Sequence, residues 1–177
     1  MARVSYVEVN TTTNPDIIES FQRMIQKRGK VTNIYKALAH KPDILKTIGP
    51  FVAAVQKPDE IDANLKERII LRVSRINRSA YCCHAHKQIS SKLGFTDEQI
   101  EEILDDPDSA NISESDRAAL KYAEHLTLSP GDIPDSIYNE LASHFSESQI
   151  VEITAVAALY NMINRFNEAL KLDLEDY

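Results

Sequence analysis

Apolar residues recur every three to four positions along most of the chain, and polar or turn-forming residues break the pattern at short intervals. In 42–56, Ile44, Leu45, Ile48, Phe51, Val52 and Val55 form one helical stripe, with Gly49-Pro50 as a candidate kink. In 62–76 there are two stripes. Leu65, Ile69, Val73 and Ile76 make one, and Ile70 and Leu71 extend it to a second face, so this helix is expected to be largely buried. Helix boundaries carry their own signals. Asn14-Pro15 is a cap followed by proline at the first helical position, and Gly29 stops that helix after Arg28. A short helix is predicted in 31–39 and another from 79 to Leu93, stopped by Gly94. Thr96 with Gln99, and Ser146 with Gln149, form capping boxes, each preceded by Phe and closed by Ile at Phe95/Ile100 and Phe145/Ile150. The two boxes match either an internal repeat or the convergence of good helix starts on one pattern. Further helices are predicted from Ser113 to about Leu126, over 134–143 and over 149–170. Residues 4–9 alternate and read as a short extended arm.

The fold class that follows is all-α, a multi-helix bundle in one domain over 1–177, with 1–13 an N-terminal arm. Composition supports this. Hydrophobic residues make up 43% of 177, which suits a real core, and four glycines and seven prolines leave little room for a loop-rich β fold. The net charge of −7, from 20 basic and 27 acidic residues, disfavours nucleic acid and anionic membranes as partners. No apolar run is long enough to span a bilayer, and the first ten residues lack the apolar core of a secretory signal. The two cysteines are adjacent and cannot build a disulfide framework, so a reducing, cytoplasmic compartment is expected. Helices apolar on two faces in a chain of this size predict a homo-oligomer.

Candidate chemistry concentrates in 67–86, which holds Cys82, Cys83, His84, His86 and, in an otherwise apolar helical run, Glu67. Ser79, Cys82 and His86 follow at i, i+3, i+7, a spacing that stacks them on one helical face. Asn77-Arg78-Ser79 interrupts the helix before them, which puts Cys82 in the first turn of the next one. Backbone N–H groups and the helix dipole there favour a thiolate. His86, one turn on, can take the thiol proton, and Glu67 from the neighbouring helix can orient His86 or relay its proton. Cys82 is read alternatively as a small buried hydrophobe. A zinc site using Cys82, Cys83, His84 and His86 is a weaker rival, since adjacent helical cysteines diverge. No metal or cofactor is expected. Arg68, Arg72 and Arg75 are expected to be solvated or to pair across a subunit contact. Asn161, Asn164 and Arg165 are expected to serve helix packing.

Glu67, eleven residues, then Ser79-x-x-Cys82-x-x-x-His86 resembles the signature of the carboxymuconolactone decarboxylase/AhpD-like family, in which position 79 is a cysteine. Asn77 and Tyr81 also match, and Tyr160-Asn161-Met162-Ile163-Asn164-Arg165 resembles a segment of the C-terminal helix in the peroxidase-related branch. The resemblance runs from about residue 31 to 172. It implies an AhpD-like bundle assembled as trimers or hexamers. It also implies a thiol-dependent peroxidase-like activity in which Cys82, activated by His86 and Glu67, reduces a small hydroperoxide at the expense of an external thiol. Ser79 cannot resolve a sulfenic acid, and it is assigned a hydrogen bond to the thiolate or to substrate. The alternatives are a decarboxylase-like lyase on a small lactone acid, with Glu67 and His86 as acid and base, and a non-catalytic oligomeric redox sensor.

Overall fold

The computed structural model describes residues 1–105, 107–108 and 110–175. These form α1 (Pro15–Arg28), α2 (Asn33–Leu38), α3 (Pro42–Gln56), α4 (Ala63–Ile76), α5 (Ala80–Lys92), α6 (Asp97–Asp105), α7 (Glu114–Leu128), α8 (Asp135–His144) and α9 (Glu147–Leu170), with no strand among the described residues. The start signals act as the sequence implies. Asn14 Oδ1 accepts the N–H groups of Asp16 and Ile17, and Ser113 Oγ accepts that of Asp116. Both capping boxes close reciprocally. Gly29 ends α1 at φ 77°, a left-handed conformation that costs a side-chain-bearing residue more. Pro50 lies inside α3, which continues through it.

α4 is the hub. It packs against α5, α6, α7 and α9, and α9 closes against α3, α5, α7 and α8. Leu65, Lys66, Glu67, Ile69, Ile70, Leu71, Val73 and Ser74 are all buried, so the helix is covered on more than one face. The main core joins α4 to Leu120 and Ala123 of α7 and to Ile153, Val156, Ala157 and Tyr160 of α9. A second apolar cluster, with Ile17, Phe21, Tyr35, Leu38 and Leu45, lies under α1–α3. Ile34, Ile48 and Phe166 pack against both. That seam holds the cavity described below. The N-terminal arm packs on the bundle rather than into a sheet: Arg3 N–H donates to Leu170 O and Val7 N–H to Lys36 O.

Two placements depart from expectation. Arg68 and Arg72 are half-buried and pair within the chain, with Asp116 and Glu124, bracing α4 against α7, whereas Arg75 is solvated as expected and pairs with exposed Asp105 of α6. Lys66, which fell on no apolar stripe, is only 2% exposed. Its ammonium donates to Val55 O at 2.8 Å and Lys57 O at 2.5 Å and pairs with Glu152. It thereby satisfies carbonyls at the end of α3 that no helical N–H can reach. Removing the ammonium leaves two carbonyls and the half-buried Glu152 without their donor, so Lys66→Ala is expected to cost about 3 kcal/mol in denaturant unfolding. A loss below about 1 kcal/mol would mean that the clasp is dispensable.

Candidate active site

The link between α4 and α5 sets the site. Asn77 closes α4, Arg78 takes a left-handed φ of 55°, and Ser79 N–H donates to Ser74 O at 2.9 Å. Ser79 is the N-cap of α5, outside the helix proper, and its Oγ accepts the Cys82 N–H at 3.4 Å. The three residues therefore stack, but with Ser79 as the cap rather than as part of the helical face. Cys82 stands in the first turn, and His86 is one turn further on.

Glu67 and His86 meet. His86 Nδ1 donates to Glu67 Oε2 at 2.7 Å, with His86 5% and Glu67 8% exposed. A carboxylate on Nδ1 sets the tautomer with its lone pair on Nε2, so the free nitrogen is the basic one. Tyr160 packs edge-on against the imidazole, ring centroids 5.0 Å apart. Gln56 Nε2 donates to the Tyr160 hydroxyl, and the Arg28 guanidinium donates to Gln56 Oε1 at 2.9 Å. Burial, and then the charge of Glu67, push the Tyr160 phenol well above its usual range.

Cys82, His86, Glu67, Gln56, Tyr160 and Asn167 all line one cavity of about 590 Å³. Its walls are mainly apolar, with Ile44, Ile48 and Val52 from α3 and Phe166 from α9, and exposed Arg28 and Lys92 stand at its edge. Ser79 does not line it. The Ser79 hydroxyl donates to Glu168 Oε1 at 3.0 Å, so its proton is directed away from any substrate. It caps α5 and anchors α9, and its hydroxyl also stands against the Cys82 thiol, whose thiolate it favours.

The acidity of Cys82 reverses the expectation. The thiol is at the helix N-terminus as predicted, but it is 2% exposed, and burial pushes it up to about 11. The Ser79 hydroxyl and the Asn167 carboxamide pull the other way and do not overcome the desolvation. Burial also raises Cys83. Cys82 is therefore a neutral thiol at pH 7, and its burial outweighs the helix dipole. Alkylation of Cys82 by iodoacetamide, followed by peptide mapping, should climb through pH 9 toward pH 11 as the thiol ionises. A rate already flat by pH 8 would mean that a thiolate exists at rest.

Among the described residues no three His, Cys, Asp or Glu side chains come together as metal ligands. His84 Nε2 is 2.9 Å from Gln88 Nε2, one turn along α5. Asn161 and Asn164 do serve packing. Asn161 joins Asn77 and Thr127, and Asn164 Oδ1 accepts the Ser74 hydroxyl. Sequence reasoning missed Asn167, whose Nδ2 donates to Cys82 Sγ at 3.3 Å. Its signal was present: Tyr160, Asn164 and Asn167 fall at i, i+4, i+7 and form a polar stripe on an apolar helix.

Residues 42–125 match the carboxymuconolactone decarboxylase family. The uncharacterized protein YdfG of Bacillus subtilis (strain 168) is 30% identical over 115 residues, 64% of this chain and 78% of that protein. Among solved structures, an AhpD-core, peroxidase-related protein from Ralstonia eutropha JMP134 superposes with a TM-score of 0.87. It is 22% identical and covers 98% of this chain and 92% of its own, a likeness of fold. The debrominase Bmp8 superposes with a TM-score of 0.79 at 25% identity, covering 91% and 87%, and its cysteine-to-alanine variant is known in complex with 2,3,4-tribromopyrrole. With its all-α AhpD-like fold, this chain belongs to the carboxymuconolactone decarboxylase family.

Proposed function

We propose that the protein is a thiol-dependent peroxidase-like oxidoreductase, with Cys82 as nucleophile, His86 as base and Glu67 as the group that orients His86. The observation that carries this reading is the 2.7 Å Glu67–His86 hydrogen bond, buried in the same apolar cavity as the Cys82 thiol. His86 Nε2 takes the proton of the neutral thiol as sulfur attacks the terminal oxygen of a hydroperoxide. An S–O bond forms and the O–O bond breaks. The alkoxide leaves with the proton held by His86, as an alcohol, and Cys82 is oxidised by two electrons to the sulfenic acid. With serine at 79, no thiol is placed to resolve it. One external thiol then forms a mixed disulfide and releases water, and a second restores Cys82. A cytoplasmic location, with its supply of thiols, belongs to the same proposal.

The test is loss of cumene hydroperoxide with dithiothreitol supplied, comparing the native chain with Cys82→Ser. Turnover in the native chain and none in the variant is expected; equal rates would overturn the assignment. The likeness to Bmp8 favours a second reading for the same lone thiol, reductive dehalogenation of a small haloaromatic. Two equivalents of thiol would replace a carbon-bound bromine with hydrogen and yield a disulfide and hydrogen bromide. Bromide release from 2,3,4-tribromopyrrole without hydroperoxide turnover would select it.

Assembly as a trimer or hexamer is part of the proposal. Exposed Phe51, Leu128, Val151 and Met162 leave apolar surface for a second copy. Light scattering at micromolar concentration should give a mass well above one chain, and a monomer would remove the claim.

A further inference from the structure

The Asn167 side chain holds the thiol with one end and leaves the other end without a partner. Nδ2 donates to Cys82 Sγ at 3.3 Å, whereas Oδ1 is buried and accepts nothing from the protein. The residue is 1% exposed and lines the cavity beside Cys82 and His86. A buried carbonyl oxygen without a donor is costly and uncommon in a native chain. The cost is recovered where a bound molecule brings the missing donor.

We propose that Asn167 Oδ1 is the docking point for the reacting end of the substrate, taking a hydrogen bond from the terminal O–H of an organic hydroperoxide while Nδ2 holds the sulfur. This rests on the peroxidase reading above. One rigid carboxamide then spans both reactants. The terminal oxygen, bound through its hydrogen to Oδ1, is brought toward Sγ, and the apolar body of the substrate lies against Ile48, Val52 and Phe166. When sulfur attacks, that oxygen keeps its hydrogen and becomes the sulfenic S–O–H, so the hydrogen bond to Oδ1 survives the step. The other oxygen leaves and takes its proton from His86. Asn167 thus selects a substrate that carries a hydrogen on the atom to be transferred.

The test compares two reagents on Cys82 in single turnover, each read by peptide mapping: cumene hydroperoxide, which offers an O–H, and methyl methanethiosulfonate, which offers no O–H or N–H donor. Taking their ratio cancels any change in thiol ionisation. Asn167→Leu keeps the volume and removes the acceptor, and the hydroperoxide-to-thiosulfonate ratio should fall about tenfold or more. Asn167→Asp keeps an acceptor of the same shape, so both rates should drop together, with the ratio within about threefold of the native chain. An unchanged ratio in Asn167→Leu overturns the proposal and leaves Asn167 as a partner of the thiol alone. If circular dichroism shows that the leucine variant is unfolded, Asn167→Ala is read by the same criterion. A native chain that reacts with the thiosulfonate but forms no sulfenic acid with the hydroperoxide sinks the peroxidase reading, and the inference with it. The ratio in the variants distinguishes that outcome from a failure of the inference alone.

Discussion

Ser79→Cys is expected to convert a one-cysteine site into a dithiol site. Position 79 is the N-cap of α5 and Cys82 is in its first turn, with Ser79 Oγ already accepting the Cys82 N–H. A thiol in that place is within reach of a disulfide with Cys82, as in other Cys-x-x-Cys motifs at helix starts. The new thiol would attack the sulfenic acid, release water and close the disulfide, which a dithiol then reduces. Dithiothreitol-dependent turnover of cumene hydroperoxide should rise at least tenfold where resolution limits the native cycle. Mass spectrometry after peroxide should show the loss of two hydrogens between positions 79 and 82. There is a cost. The serine caps the helix and donates to Glu168, so the reduced variant should lose about 1–2 kcal/mol. Disulfide without added turnover would mean that resolution is not limiting or that the cavity does not take hydroperoxides. No disulfide at all would mean that the two side chains do not approach as the backbone suggests.

The second large effect concerns the base. His86→Gln removes the basic nitrogen but can still donate to Glu67, so the buried carboxylate is not stranded. Because Cys82 is held near 11, very little thiolate forms unaided at pH 7, and the rate of hydroperoxide reduction should fall by about 10²–10³. Glu67→Gln acts through His86. An amide there can donate to Nδ1, which turns the imidazole to the tautomer with its proton on Nε2 and removes the base from the thiol side. A loss of about tenfold to a hundredfold is expected. The sign of the pH dependence separates these variants from mere damage. A rise in pH ionises the thiol without help, so the deficit of His86→Gln should narrow between pH 9 and 11. A constant deficit across that window would show that His86 acts in some other way.

The Lys66 clasp and the Arg68–Asp116, Arg72–Glu124 and Arg75–Asp105 pairs show why charged residues on the central helix are hard to judge from spacing. Lys66 follows Leu65 on a helix read as buried, yet nothing local says that two carbonyls at the end of α3 will meet its ammonium. The arginines have no acid at i+4 to predict a partner, and their partners come from α6 and α7, about 30 to 52 residues away in sequence.

The sequence alone determined the helices and the core of the site. Caps at Asn14, Thr96, Ser113 and Ser146 and stops at Gly29 and Gly94 are local hydrogen-bonding and backbone events, legible within a turn or two. The spacing of Glu67, Cys82 and His86 was legible too, because a three-residue link leaves two adjacent helices few ways to pack. What only the tertiary structure decided is what surrounds them. Whether a thiol at a helix N-terminus is acidic depends on how much water the rest of the chain removes, and here, with α4 and α9 packed against α5, Cys82 is buried enough to outweigh the dipole. The same packing brings Asn167 to the sulfur from 85 residues away. It also gives the Ser79 hydroxyl a partner in Glu168, 89 residues on. A helix's own periodicity encodes which face is buried, but not which side chain from a distant helix will meet that face, because that is settled by the packing of the whole core.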